Sequence, residues 1–94
     1  MLFSLPILVS LAAYGPTVTE LDENRFEVSV VFNGESAREH VKAQFGLARA
    51  ARRHCRKKGE PVSEGWLHVD LADPGKPDDG RLRLSEVYTC EPKG

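Results

Sequence analysis

Between Arg25 and Phe32 the chain alternates. Phe26, Val28, Val30 and Phe32 are apolar, and Arg25, Glu27, Ser29 and Val31 lie between them. A period of two, filled by β-branched and aromatic residues, predicts a strand with one buried face. Asn33-Gly34 ends it. The period then lengthens. Ser36-Ala37-Arg38-Glu39 has the form of a helix capping box. The pattern predicts a helix from Ala37 to about Lys58, stopped by Gly59 in a left-handed cap. Ala37, Val41, Phe45, Ala48 and Cys55 fall on one helical stripe, which Leu47 and Ala51 widen. The many alanines favour the helix and let it lie close to a sheet. Gly46 costs up to about 1 kcal/mol against alanine. It marks either a close backbone approach or a small local defect.

Alternation returns at Val62–Leu71, with Leu67, Val69 and Leu71 on one face and Trp66, His68 and Asp70 on the other. A turn-rich loop, Asp73 to Gly80, leads to a third strand, Arg81–Cys90. There Leu82, Leu84, Tyr88 and Cys90 are in phase, but Glu86 falls on the same face and Val87 on the other. A bulge near Glu86 would resolve that conflict. A short strand at Thr17–Leu21 precedes these elements. The expected fold is α+β: one long helix packed on a three- or four-stranded, mainly antiparallel sheet, with β-α-β-β as its main order.

The amino terminus stands apart. Residues 1–15 carry no charge, and the apolar run Leu2–Ala13 is interrupted by Ser4, Pro6 and Ser10. A helix of that length rises about 18 Å, short of a hydrocarbon core of about 30 Å. It suits the apolar part of a secretory signal peptide, although no Lys or Arg precedes it. Ser10 and Ala12 supply the small residues for a cut after Ala12. The rival reading is a buried strand, which Pro6 opposes because it cannot donate to a ladder. The expected division is a signal peptide over 1–12 and one small α+β domain over 13–94, with no membrane span in the mature chain. Leu11-Ala12-Ala13 also resembles the front of a lipoprotein processing box. Tyr14 stands where the lipid-bearing Cys belongs, and a phenol cannot carry that thioether.

Composition narrows the function without naming it. The chain has 94 residues, enough for one modest core. Its formal charge of −1 gives no whole-chain case for nucleic acid or an anionic membrane. Cys55 and Cys90 are an even pair, and in an oxidising compartment they should be bridged. In a β-α-β-β order the helix foot and the end of the last strand lie at one sheet edge, which brings these cysteines together. Export, parity and topology agree on the bridge, and the expected location is periplasmic or secreted.

The chemistry-bearing candidates each have a plainer rival. Arg49, Arg52, Arg53 and Arg56 lie along one side of the helix end and form a candidate anion-binding surface. Late-helix cations also suit the negative end of the helix dipole. Trp66, His68 and Asp70 form a row that suits a small ligand or partner. The rival is a sheet face covered by another segment, such as residues 13–24. His40 and His54 are about 21 Å apart along the helix and share no metal. With no paired catalytic arrangement, no metal-ligand spacing and no phosphate loop, no catalytic residue and no cofactor is expected.

Phe26-Glu27-Val28-Ser29-Val30-Val31-Phe32-Asn33-Gly34, then Val41, Leu47-Ala48-Arg49-Ala50-Ala51 and Gly59, resembles a group of small proteobacterial envelope lipoproteins of unknown function. In them a strand ending in F-x-G precedes a helix with R-A-A and then a glycine. The resemblance spans residues 26–59 and implies a bacterial cell-envelope setting. It carries over no catalytic residue. The expected role is non-catalytic, structural or interactive, with a protein partner. The alternatives are an anion- or nucleic-acid-binding module at the Arg-rich helix end, or a small enzyme on the His68/Asp70 face.

Overall fold

A computed structural model describes residues 15–92. The expected signal peptide, 1–12, lies outside the described residues. The elements are β1 (Thr17–Glu20), β2 (Arg25–Asn33), α1 (Ala37–Cys55), β3 (Glu60–Leu71), a 3-10 turn (Pro77–Asp79) and β4 (Arg81–Glu91). The strands form one sheet in the order β1-β2-β4-β3, with every neighbouring pair antiparallel. The helix packs on one face. This is the expected α+β class, with the short amino-terminal strand as the fourth.

Local chemistry places the ends. Ser36 caps the helix by accepting from the Glu39 N–H at 3.2 Å. The reciprocal half of the box is not made. The Glu39 carboxylate instead accepts from the Asn33 N–H at 3.2 Å, tying the helix start to the end of β2. The helix ends at Cys55, earlier than the expected Lys58. Its last carbonyl, that of Cys55, accepts from both Lys58 and Gly59 at 2.8 Å. Gly59 has φ +132°, a conformation that L side chains rarely adopt.

The core lies between helix and sheet. Phe26, Val28 and Phe32 of β2 and Leu84, Tyr88 and Cys90 of β4 meet Ala43, Leu47, Ala50, Ala51 and Cys55 of α1. This corrects the expected helix stripe. Val41 and Phe45 are exposed, at 50% and 66%, and the buried arc is centred on Leu47 among alanines. Small side chains permit the closer approach, and the bond from Cys55 to β4 fixes the rotation at the helix foot. Gly46 is not required by close approach. A Cβ there would meet Val30 Cγ2 at 3.9 Å, an ordinary contact, so the glycine is a local weak point.

Cys55 and Cys90 are disulfide-bonded, with Cα atoms 5.4 Å apart. That is inside the range a disulfide needs. It is compatible with an oxidising compartment.

Glu86 does not sit in a bulge. β4 runs in unbroken register with β2, Val28 opposite Glu86. The irregularity lies across the ladder in β3, between Ser63 and Leu67. There Ser63 Oγ donates to Glu86 Oε2 at 2.6 Å, and Tyr88 Oη donates to Oε1 at 2.5 Å. Both carboxylate oxygens thus have donors on the core face, which answers the cost of burying a polar group.

Burial first, and then the bond to Glu86, pushes the Tyr88 phenol above its ordinary value. Its contribution to stability is fully present below pH about 10, where folded and unfolded chains both keep the proton. Above that the unfolded chain ionises first, and the contribution is lost as pH rises through the raised folded value. Thermal melts across the alkaline range should therefore show a fall in stability. Tyr88→Phe should flatten it, and an unchanged slope would contradict the assignment.

Candidate interaction surface

A helix with its side chains is about 10–12 Å across, whereas the outer strands of a four-stranded sheet lie about 14 Å apart. One helix therefore cannot cover four strands. Here it lies over β2 and β4, and the two edge strands keep uncovered apolar side chains on the helix side. β1 is short and leaves Val18 37% exposed. β3 is longer and leaves more. Leu67, Val69 and Leu71 are 42–49% exposed, although they point to the same side of the sheet as the core.

The helix flank above them is also bare. Val41, Phe45, Ala48 and Arg52 form one stripe at helical spacing. The stripe's lower part, Ala48 and Arg52, lines a groove with Pro61 and Tyr88, which places the stripe on the β3 side. Counting about 1.5 Å per helical residue from Cys55 and about 3.3 Å per strand residue from Cys90 sets Phe45 level with Leu67 and Val41 level with Val69. Val41 and Phe45 of α1 and Leu67, Val69 and Leu71 of β3 are thus exposed apolar side chains at matching levels, the last three in a row on the edge strand.

Trp66, His68 and Asp70 sit at the same edge. Trp66 is 71% exposed, in the irregular stretch between Ser63 and Leu67. His68 and Asp70 point to the face away from the helix, opposite Ser85 and Arg83 of β4. The expected cover by residues 13–24 is corrected: Thr17–Glu20 extends the sheet as β1 at the far edge and does not lie over this face. Nearby, Arg25 of β2 reaches across β4 to Glu64, with Nε to Oε2 at 2.6 Å and Nη2 to Oε1 at 3.2 Å. The hydrogen bond from Arg25, despite opposing desolvation, holds the Glu64 carboxyl below its ordinary value. This fork anchors the β3 irregularity.

The four arginines part company. Arg49 and Arg53, with Lys42, wall a groove of about 840 Å³ between α1 and the β1–β2 side, over a floor of Val18 and Val30. Arg52 and Arg56 line the smaller groove on the β3 side. Glu39 joins the first wall and Glu60 the second, so neither is purely cationic.

The histidines have plain structural roles. His40 stacks on Phe32 with centroids 5.1 Å apart, and His54 lies against Phe26 at 4.3 Å and 3.6 Å from a Glu20 oxygen. Among the described residues no group of three His, Cys, Asp or Glu could hold a metal ion. Among them, too, no helix is long and apolar enough to cross a membrane.

Sequence reasoning assigned Val41 and Phe45 to the core and left the Leu67 face unexamined as a surface. The available signal was numerical: one helix against four strands must leave an edge uncovered. The chain matches no family model, no curated protein and no solved structure.

Proposed function

We propose that this chain is a non-catalytic interaction protein of an exported, oxidising setting, periplasmic or secreted, and that β3 is its working edge. The carrying observation is the exposed apolar row Leu67, Val69 and Leu71 on the edge strand β3. Contiguous apolar surface next to an unpaired strand edge marks a place where another chain adds. The disulfide supports the compartment, and the apolar segment at 1–12 supports export by a cleaved signal. The resemblance over residues 26–59 supports a bacterial envelope. The anion-binding alternative has less behind it, because Arg49 and Arg53 open onto a different groove from Arg52 and Arg56. The enzyme alternative has least: His68 and Asp70 stand exposed on a sheet face and line neither groove described above.

A photo-crosslinking side chain at Val69 tests this in cells that export the full chain. It should capture a defined adduct that the same group at Thr19, on the opposite edge, does not. The recovered chain should lack residues 1–12 by intact mass. Equal, diffuse labelling from both positions would defeat the edge assignment. A full-length, reduced cytoplasmic form as the sole product would defeat the compartment.

A further inference from the structure

The β3 edge is complementary to itself. The Ala72 N–H donates to the Arg81 carbonyl at 3.1 Å, continuing the β3–β4 ladder. Along a strand, successive residues direct their backbone groups to opposite sides. The N–H and C=O of His68 and Asp70 therefore face β4, and those of Leu67, Val69 and Leu71 face outward from the sheet. We propose that a second copy of this chain pairs there, β3 against β3 and antiparallel, about a two-fold axis through Val69. The proposal rests on the reading of β3 as an interaction edge and names its occupant.

The side chains select that register. With the axis at Val69, Val69 faces its counterpart and each Leu67 faces Leu71 of the second copy. All six lie on the helix side and form one apolar row. On the other face each His68 meets Asp70 of the second copy, an imidazole opposite a carboxylate, twice. The backbone groups also match: residues 67, 69 and 71 of both strands point at each other, which closes a ladder of six N–H to O=C bonds. Moving the axis to Asp70 sets two carboxylates opposite each other, and moving it to His68 sets two imidazoles opposite each other. The first opposes like charges, which is unfavourable, and the second forgoes the imidazole–carboxylate pairing. Within one chain the groups facing this pair are Arg83, opposite Asp70, and Ser85, opposite His68.

The rest of β3 is built against such pairing. Natural edges are blunted by proline, by bulges and by lysine. Pro61 and the irregularity around Gly65 blunt the first half of the strand. Leu67 to Leu71 has none of these devices. Pairing there extends the sheet beyond β3 and gives the exposed row Leu67, Val69 and Leu71 a neighbour.

Sedimentation of the oxidised full chain from about 1 to 500 μM should show a reversible monomer–dimer equilibrium, with Kd on the order of 10 μM for so small an interface. Val69→Pro removes an N–H that faces the free edge and none from the β3–β4 ladder. It should weaken association at least about ten-fold, with the far-ultraviolet spectrum retained. Should that variant fold poorly, His68→Asp sets carboxylate against carboxylate and should weaken association similarly, and His68→Asp with Asp70→His should restore it. A monomer throughout the range, or a dimer indifferent to these changes, would overturn the proposal. If the Val69 crosslink captures a different protein while the chain sediments as a monomer, the interaction reading stands and the second copy falls. If neither is seen, both fall.

Discussion

Replacing Cys90 with serine is expected to lower the stability of the folded chain by about 3–4 kcal/mol. The bridge closes a loop with a sequence separation of 35, for which chain-entropy arithmetic gives roughly 3.8 kcal/mol at room temperature. The site makes recovery difficult. Cys55 is 0% exposed and Cys90 5%, so the variant leaves a hydroxyl and a thiol in an apolar corner. Burying a poorly bonded hydroxyl adds to the loss. That loss is a large part of the total stability of a domain this size, about 5–10 kcal/mol. Urea titrations of the oxidised protein, the reduced protein and the variant measure it. Reduction alone should move the midpoint the same way as the substitution. Both thiols should resist alkylation in the unfolded, unreduced protein and react once reduced. A loss of stability below about 1 kcal/mol would show that the helix foot is held by its packing and not by the bond.

The bridge also shows which parts of the fold were legible. Its two halves could be placed at one end of the sheet because element order fixes strand direction, and direction follows from short connections. β2 was legible for a local reason: its alternation is nearly unbroken, and Asn33-Gly34 stops it. The helix start was legible from Ser36, whose hydroxyl caps the Glu39 N–H. The helix rotation was not. Val41 and Phe45 share a stripe with Cys55, and only the partner surface decides whether the wider alanine arc or that stripe turns inward. The charge at Glu86 was read correctly as a conflict and assigned to the wrong strand. The compensating irregularity is in β3, and its partner Ser63 is 23 positions away in sequence. Pairings of that range have no local pattern.

The candidate surface was hidden for a related reason. Alternation at Leu67, Val69 and Leu71 reports that a strand has an apolar face; it does not report whether anything lies over it. That depends on β4 taking the central place beside β2 while β3 goes to the edge, a non-local choice. Trp66, His68 and Asp70 were singled out by residue type, and the structure puts them on the same edge as the strip that sequence reasoning overlooked.

Gly59→Ala is expected to cost about 3 kcal/mol or more, on the scale of losing the disulfide. Two effects coincide there. The residue has φ +132°, where a side chain strains the backbone in open space or not. A Cβ would also lie 1.9 Å from the Glu91 carbonyl oxygen and 2.6 Å from its carbon, so backbone would have to move. The Glu91 end of β4 is poorly placed to retreat. It pairs with Glu60, the next residue, and its neighbour Cys90 is bonded to Cys55, whose carbonyl holds the Gly59 N–H. Gly65→Ala separates the two effects. Gly65 has φ +94° and nothing within 4 Å of an added Cβ, so its variant carries backbone strain alone, roughly 1 kcal/mol. Chemical denaturation of both variants should therefore rank Gly59→Ala well below Gly65→Ala in stability. Equal losses would mean that the end of β4 yields freely. In the Cys90→Ser background that end is released from the helix foot, and the penalty of Gly59→Ala should shrink by about 0.5–3 kcal/mol, the coupling expected of residues that share one rigid corner.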